Sequence, residues 1–213
     1  METDRERTLE RREKKLPVFP EPFRAQVDQS ARFLGFLPRH ARAVPTDGCG
    51  RMDVAALERA VAEDVGAGLI PVAVVATAGT TNEGAVDDLD RCADVAERYG
   101  AALHVDAAYG GAFALTARGR AALAGISRAD TVVVDPHKGL FAPYGLGALL
   151  AKDGASLHRA NHGDGACMPP PASEEGREGG GYDIMSLSPE LTRDFRALRP
   201  VRNPNRFKIP SST

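Results

Sequence analysis

Three polar side chains close apolar runs and together offer usable chemistry. They are Thr77 in Ala76-Thr-Ala-Gly-Thr-Thr81, Asp106 in His104-Val-Asp-Ala-Ala-Tyr-Gly-Gly111, and Lys138 in Asp135-Pro-His-Lys-Gly-Leu140. A lysine amine partly withdrawn from water loses its charge more readily and attacks carbonyl carbons. The turn-forming Asp-Pro-His before Lys138 and the apolar Gly-Leu-Phe-Ala-Pro-Tyr after it favour such a setting. A carboxylate such as Asp106 keeps a heterocyclic nitrogen protonated, and the Ala107-Ala108 and Gly110-Gly111 pairs let a flat ring lie close to the backbone. From spacing alone, an ordinary helix-capping aspartate at a strand end reads equally well.

The elements that must position these groups alternate along the middle of the chain. Val72–Thr77 is a continuous, mostly β-branched run, the pattern of a strand buried on both faces. Leu103–Asp106, Thr131–Asp135 and Leu146–Ala151 are further strands. Helices are expected from about Gln26 to Leu34, over Asp53–Asp64 with Asp53 as N-cap, over Leu89–Tyr99 ended by Gly100, and over residues 119–126. Strands alternating with helices argue for an α/β fold with a mostly parallel sheet, whose ligands collect at the carboxyl ends of the strands. Leu16–Phe23 holds three prolines and reads as extended or turn-like.

Composition narrows the class. Hydrophobic residues at 43% and charged residues at 26% are ordinary for a globular protein. A net charge of -2 gives no reason to expect nucleic acid or a charged membrane as partner. No apolar run reaches bilayer length, and Met1–Lys15 lacks the apolar core of a secretion signal. Three separated cysteines, Cys49, Cys92 and Cys167, suit a reducing compartment, so the cytoplasm is expected. Four regions follow: a charged flexible segment at 1–16, the main α/β domain at 17–160, a mobile Gly- and Pro-rich loop at 161–187, and the start of a C-terminal region at 188–213.

At these residues the sequence resembles the group II pyridoxal-phosphate-dependent amino-acid decarboxylases, relatives of aromatic-L-amino-acid decarboxylase. The resemblance rests on Arg51-Met-Asp53, Val75-Ala-Thr-Ala-Gly-Thr-Thr-Asn82 with Gly84-Ala-Val-Asp87, His104-Val-Asp-Ala-Ala-Tyr109, Asp135-Pro-His-Lys138 and Ser188-Pro-Glu-Leu-Thr-Arg193, and covers about residues 25–199. It implies an incomplete large domain of PLP fold type I, like that of aspartate aminotransferase. It implies pyridoxal 5'-phosphate as cofactor, with Lys138 as the Schiff-base lysine and Asp106 as partner of the pyridine nitrogen. Ala108 would pack against one ring face, Thr77 would lie near the ring substituents, and His137 with Asp135 near the phosphate and active-site edge. The reaction implied is loss of the α-carboxylate of an amino acid, and a homodimer is expected for intact relatives.

The departures are specific. Relatives run to about twice this length, and their phosphate-cradling N-terminal half has no counterpart here. Arg24 stands near the position of the family's ring-stacking histidine, Cys167 near its proton-donating tyrosine, and Gly139 where many relatives carry tryptophan. Two alternatives therefore accompany the decarboxylase reading: a catalytically inactive truncated remnant, and an aminotransferase-like enzyme with the same lysine and aspartate. His158 and His162 have i, i+4 spacing, but the segment reads as a loop without carboxylate or cysteine partners, so no metal is expected. His104 reads as a hydrogen-bonded strand residue, while Tyr109 and Tyr144 read equally as site lining or core.

Overall fold

The computed structural model describes residues 14–20, 24–36 and 41–161, with the backbone alone for residues 24–28. Its strands are β1 (Lys15–Pro20), β2 (Arg42–Val44), β3 (Ile70–Thr77), β4 (Ala102–Asp106), β5 (Thr131–Val134) and β6 (Ala148–Ala151). Its α-helices are α1 (Arg24–Phe33), α2 (Val54–Gly66), α3 (Leu89–Tyr99), α4 (Ala117–Ala122), α5 (Pro136–Gly139) and α6 (Gly154–Asn161). The strands form one sheet in the order β2-β1-β3-β4-β5-β6. The pairs β1–β2, β1–β3, β3–β4 and β4–β5 are all parallel, as the expected α/β class requires.

The main hydrophobic cluster lies on one side of this sheet. Val74 and Ala76 of β3 and Leu103 and Val105 of β4 are each at most 2% exposed. Leu57, Val61, Leu89, Cys92 and Ala96 from α2 and α3 join them in one cluster. Burying such side chains contributes about 1.5–3 kcal/mol each, the main term that holds helices to strands. The opposite face of the strands, with Val75, His104, Asp106, Thr131 and Val133, is only half-buried. The uniformly apolar runs had suggested burial on both faces; hydrophobic composition marks what a strand tolerates, not what covers it.

Helix boundaries follow from capping. Asp53 accepts the Ala56 N–H at 3.0 Å at the start of α2, and Asp88 accepts the Arg91 N–H at 3.1 Å at the start of α3. Gly100 ends α3 in the left-handed region at φ 68°, where only glycine sits without strain. The helix expected at 119–126 is instead α4, capped by the Thr116 hydroxyl, between a 3-10 segment at Gly110–Leu115 and a second one at Ile126–Arg128.

The proline-rich opening takes the extended of its two expected forms. Lys15–Pro20 is the strand between β2 and β3, with Leu16, Val18 and Phe19 buried. A proline cannot donate to a sheet ladder, so interior strands normally exclude it. Here the pairing with β3 slips between Leu16 and Pro17, where Leu16 faces Pro71 and Pro17 faces Ala73, and the irregularity absorbs the missing donor. The three-residue β2 carries too short a pattern to be read from sequence.

The chain divides after Leu150 into two compact units. In the second, Asp153 accepts the Ala155 N–H at 2.9 Å and pairs with Arg159 at 3.0 Å, so its carboxylate supports the first turns of α6. His158 lies on this helix rather than in the expected loop, whereas His162 lies outside the described residues. Cys167, most of the 161–187 segment and all of 188–213 lie outside them as well. Among the described residues no helix is long and apolar enough to cross a membrane, and no group of three or more His, Cys, Asp or Glu could hold a metal ion.

Candidate active site

The carboxyl ends of β3, β4 and β5 are in register. Thr77 pairs with Asp106, and Asp106 pairs with Val133, so one row of the sheet carries all three. Side chains two residues apart on a strand share a face. Thr77 and Asp106 therefore emerge on the half-buried face, opposite the core residues Ala76 and Val105.

Backbone bonds hold the loops beyond the strands together. Ala78 donates to the Asp106 carbonyl at 2.8 Å, Ala107 to the Val133 carbonyl at 3.0 Å, and Asp135 to the Ala108 carbonyl at 3.1 Å. Small residues make this approach possible. A Cβ on Gly110 would lie 2.0 Å from the Ala78 carbonyl oxygen, and one on Gly111 would lie 2.8 Å from Val134. The crowding that excludes larger side chains also keeps the loops beside Asp106 low.

Asp106 accepts the Ala108 N–H on Oδ1 at 3.0 Å, the local cap that spacing alone allowed. Its Oδ2 has no protein donor among the described residues. Thr77 is 2% exposed, and its Oγ1 has no hydrogen-bond partner among the described residues. A buried unpaired hydroxyl costs about 1–3 kcal/mol, so such an atom marks a place where a ligand or water completes the structure.

Lys138 sits on the four-residue helix α5, directly after β5. Pro136 occupies the first turn, and the Lys138 N–H bonds the Asp135 carbonyl at 2.9 Å. The Lys138 Nζ lies 2.7 Å from Asp135 Oδ2, with the lysine side chain 40% exposed and the aspartate 18%. The amine is thus held by an ion pair rather than by the apolar wrapping expected from its flanks. His137 Nδ1 lies 2.7 Å from the Leu146 carbonyl oxygen, a contact that requires Nδ1 to carry the proton. Its Nε2 lies 4.0 Å from Asp135 Oδ2. The Tyr144 ring meets the His137 ring edge-on at 5.1 Å.

Ala108 connects the two halves. It donates to Asp106 and accepts from Asp135, whose carboxylate holds Lys138. The expected residues thus form two groups, Thr77 with Asp106 and Asp135 with His137 and Lys138, joined by the Ala108 peptide. Arg24 opens α1. Tyr109 and Tyr144 are 44% and 87% exposed, which removes core packing as their explanation. His104 bonds Thr131 Oγ1 through Nδ1 at 2.8 Å inside the sheet, as expected, and burial lowers its pKa.

One buried residue, Asp87, entered the sequence reading only as the end of the Gly84-Ala-Val-Asp87 segment and was given no role. Asp87 accepts the N–H of Thr77 at 2.7 Å and that of Met52 at 2.6 Å. The available signal was a carboxylate directly after Gly84-Ala-Val86, just ahead of the Asp88 cap of α3.

A primary amine, a carboxylate with one oxygen unbonded among the described residues, an orphaned buried hydroxyl and a floor of alanine and glycine fit a flat, anionic aldehyde with a basic ring nitrogen. The comparisons point the same way. The "Pyridoxal-dependent decarboxylase conserved domain" matches residues 8–176. Aromatic-L-amino-acid decarboxylase of Bacillus atrophaeus is 37% identical over 174 residues, covering 81% of this chain and 35% of that protein. L-2,4-diaminobutyrate decarboxylase of Rhizobium meliloti is 46% identical over 131 residues, covering 62% of this chain and 26% of that protein. The crystal structure of Oryza sativa TDC with PLP and tryptamine superposes with a TM-score of 0.82 at 30% identity, covering 90% of this chain and 39% of the other. The α/β fold is therefore that of these enzymes, and the chain spans about a quarter to a third of the length of the curated relatives cited.

Proposed function

Because this chain belongs to the pyridoxal-dependent decarboxylase family, we propose that it is part of a carboxy-lyase that removes the α-carboxylate of an amino acid with pyridoxal phosphate held on Lys138. The observation that carries this reading is the Lys138 amine held 2.7 Å from Asp135, on a helix hydrogen-bonded back to the loop of Asp106.

Bound pyridoxal phosphate supplies the electron sink that accepts the pair left behind when carbon dioxide departs. The chain's own groups serve it in distinct ways. Lys138 Nζ would be the attachment point, and Asp135 Oδ2 orients the amine. The free oxygen of Asp106 would hold a proton at the ring nitrogen, and Ala108 would pack against one ring face. The Thr77 hydroxyl finds a partner at the ring's edge. His137, fixed by its bond to Leu146, turns Nε2 toward the same carboxylate.

The exposed rings of Phe113, Phe141 and Tyr144 support a second subunit covering the site, so the proposed working state is a homodimer. The unpaired Cys49 and Cys92 are consistent with a reducing compartment, and the cytoplasm is the proposed location.

The test is to incubate the chain with pyridoxal phosphate, reduce with borohydride and map the labelled peptide. Label on Lys138, and amine formed from an amino acid, would support the proposal. Label without amine would leave a cofactor-binding remnant, keto acid would indicate an aminotransferase, and no label on Lys138 would end the reading.

A further inference from the structure

Thr77 reaches the site from a strand end whose position is set from behind. We propose that Asp87 is a positioning residue: its buried carboxylate fixes the end of β3 so that the Thr77 hydroxyl lies on the cofactor side, beside Asp106. This inference rests on the reading of Thr77 and Asp106 as parts of a pyridoxal phosphate site.

Asp87 is 4% exposed and bonds three backbone groups. Oδ2 accepts the Thr77 N–H at 2.7 Å, Oδ1 accepts the Met52 N–H at 2.6 Å, and its own N–H donates to the Thr77 carbonyl at 2.9 Å. Thr77 is thereby gripped on both its N–H and its C=O by one residue. Met52, 35 residues away in sequence from Asp87, is tied to the same carboxylate. It lies just ahead of α2 and bridges Thr46, so the anchor reaches a second part of the fold.

Loop closure alone does not need this arrangement. Gly79 and Thr80 donate to the Ala85 carbonyl, the Thr80 hydroxyl accepts from Ala85, and Ala78 bridges Val86. Those bonds already fold residues 78–86 back on themselves. What Asp87 adds is the location of Thr77, the residue in register with Asp106 whose hydroxyl has no partner among the described residues. Burial pushes the Asp87 carboxyl above its ordinary range, against the two N–H donors that favour its charge. A buried charge is costly, and an amide could not accept both N–H groups with two oxygens.

The experiment is a double-mutant cycle on the full chain, with pyridoxal phosphate affinity read by absorbance titration. Asp87→Asn and Thr77→Val should each weaken binding about tenfold. If Asp87 acts through Thr77, adding Asp87→Asn to Thr77→Val should weaken it no further, although the melting temperature still falls. An equal loss of affinity in both backgrounds, or no loss in either, would overturn the proposal by leaving Asp87 a purely structural role. Hydrogen exchange on the unmutated chain supplies a measurement free of folding defects: the Thr77 amide should be strongly protected, and fast exchange there would also overturn it. If the unmutated chain binds no pyridoxal phosphate, the site reading fails and this proposal with it; binding with an additive cycle rejects this proposal alone.

Discussion

Asp135 donates its backbone N–H to the Ala108 carbonyl at 3.1 Å, while its carboxylate lies 2.7 Å from the Lys138 amine. The residue that orients the lysine is thus fixed to the loop that caps Asp106. The Asp135 carboxylate and backbone have separable jobs. Asp135→Asn keeps the backbone bond and removes the charge. A half-exposed ion pair is worth about 0.2–1 kcal/mol, so urea unfolding should shift by less than ~1 kcal/mol. Loss of the carboxylate should nonetheless lower the yield of borohydride-trapped cofactor on Lys138. Equal trapping in both proteins would show that the pair is ornamental.

Gly139 is the last residue of the same helix and faces the Gly110–Leu115 segment. A Cβ there would sit 2.5 Å from the Ala112 Cβ, closer than two carbons can approach. Gly139→Ala should therefore push α5 away from the Gly110–Leu115 segment and cost about 1–3 kcal/mol, the usual range for overpacking. Ala112→Gly opens the same space from the opposite wall. The double variant should recover most of the stability lost in Gly139→Ala, measured by thermal unfolding, and failure to recover would mean that the crowding lies elsewhere.

Phe141 holds backbone strain. Its φ of 54° is the one positive value among the described non-glycine residues, and its side chain is 85% exposed. A left-handed conformation costs an L-residue roughly 1–2 kcal/mol, and glycine's greater freedom in the unfolded chain returns about 0.5–1 kcal/mol of that. Phe141→Gly should thus stabilise the isolated chain by about 0.5–1 kcal/mol in urea. If the ring is covered in a dimer, the same change should weaken self-association, read by sedimentation.

The legible parts of the sequence were those where one physical rule acts alone. β3 and β5 follow from apolar, mostly β-branched runs, β4 from the short run Leu103–Asp106, and the end of α3 from Gly100. β1 was hidden because proline's local preference contradicts its place in the sheet, and only the slip at Leu16 and Pro17 reconciles them. The placement of Thr77 and Asp106 at strand ends was readable, since each closes an apolar run. That Lys138 would meet Asp135 rather than an apolar wall was not, because the direction of a side chain beyond a strand depends on tertiary contacts. The role of Asp87 was unreadable for a related reason: its carboxylate accepts from the backbone N–H groups of Met52 and Thr77, and a backbone donor leaves no mark on the residue types around it.

His104 provides a test through pH. It lies two residues before Asp106 on the same face of β4, bonded to Thr131. Burial lowers its pKa from the ordinary 6.5, and the Asp106 charge only partly opposes this. The folded chain therefore takes up the His104 proton at a lower pH than the unfolded chain does. Between those two values the unfolded state binds more protons, so stability rises with pH. The contribution is fully present above about pH 6.5 and is lost as pH falls through the folded-state pKa. Replacing the imidazole by His104→Asn should flatten the fall in urea-unfolding free energy on the acid side of pH 6.5, while leaving the slope above it unchanged. An unchanged acid slope would mean that His104 is already protonated in the folded chain, with its charge balanced by Asp106.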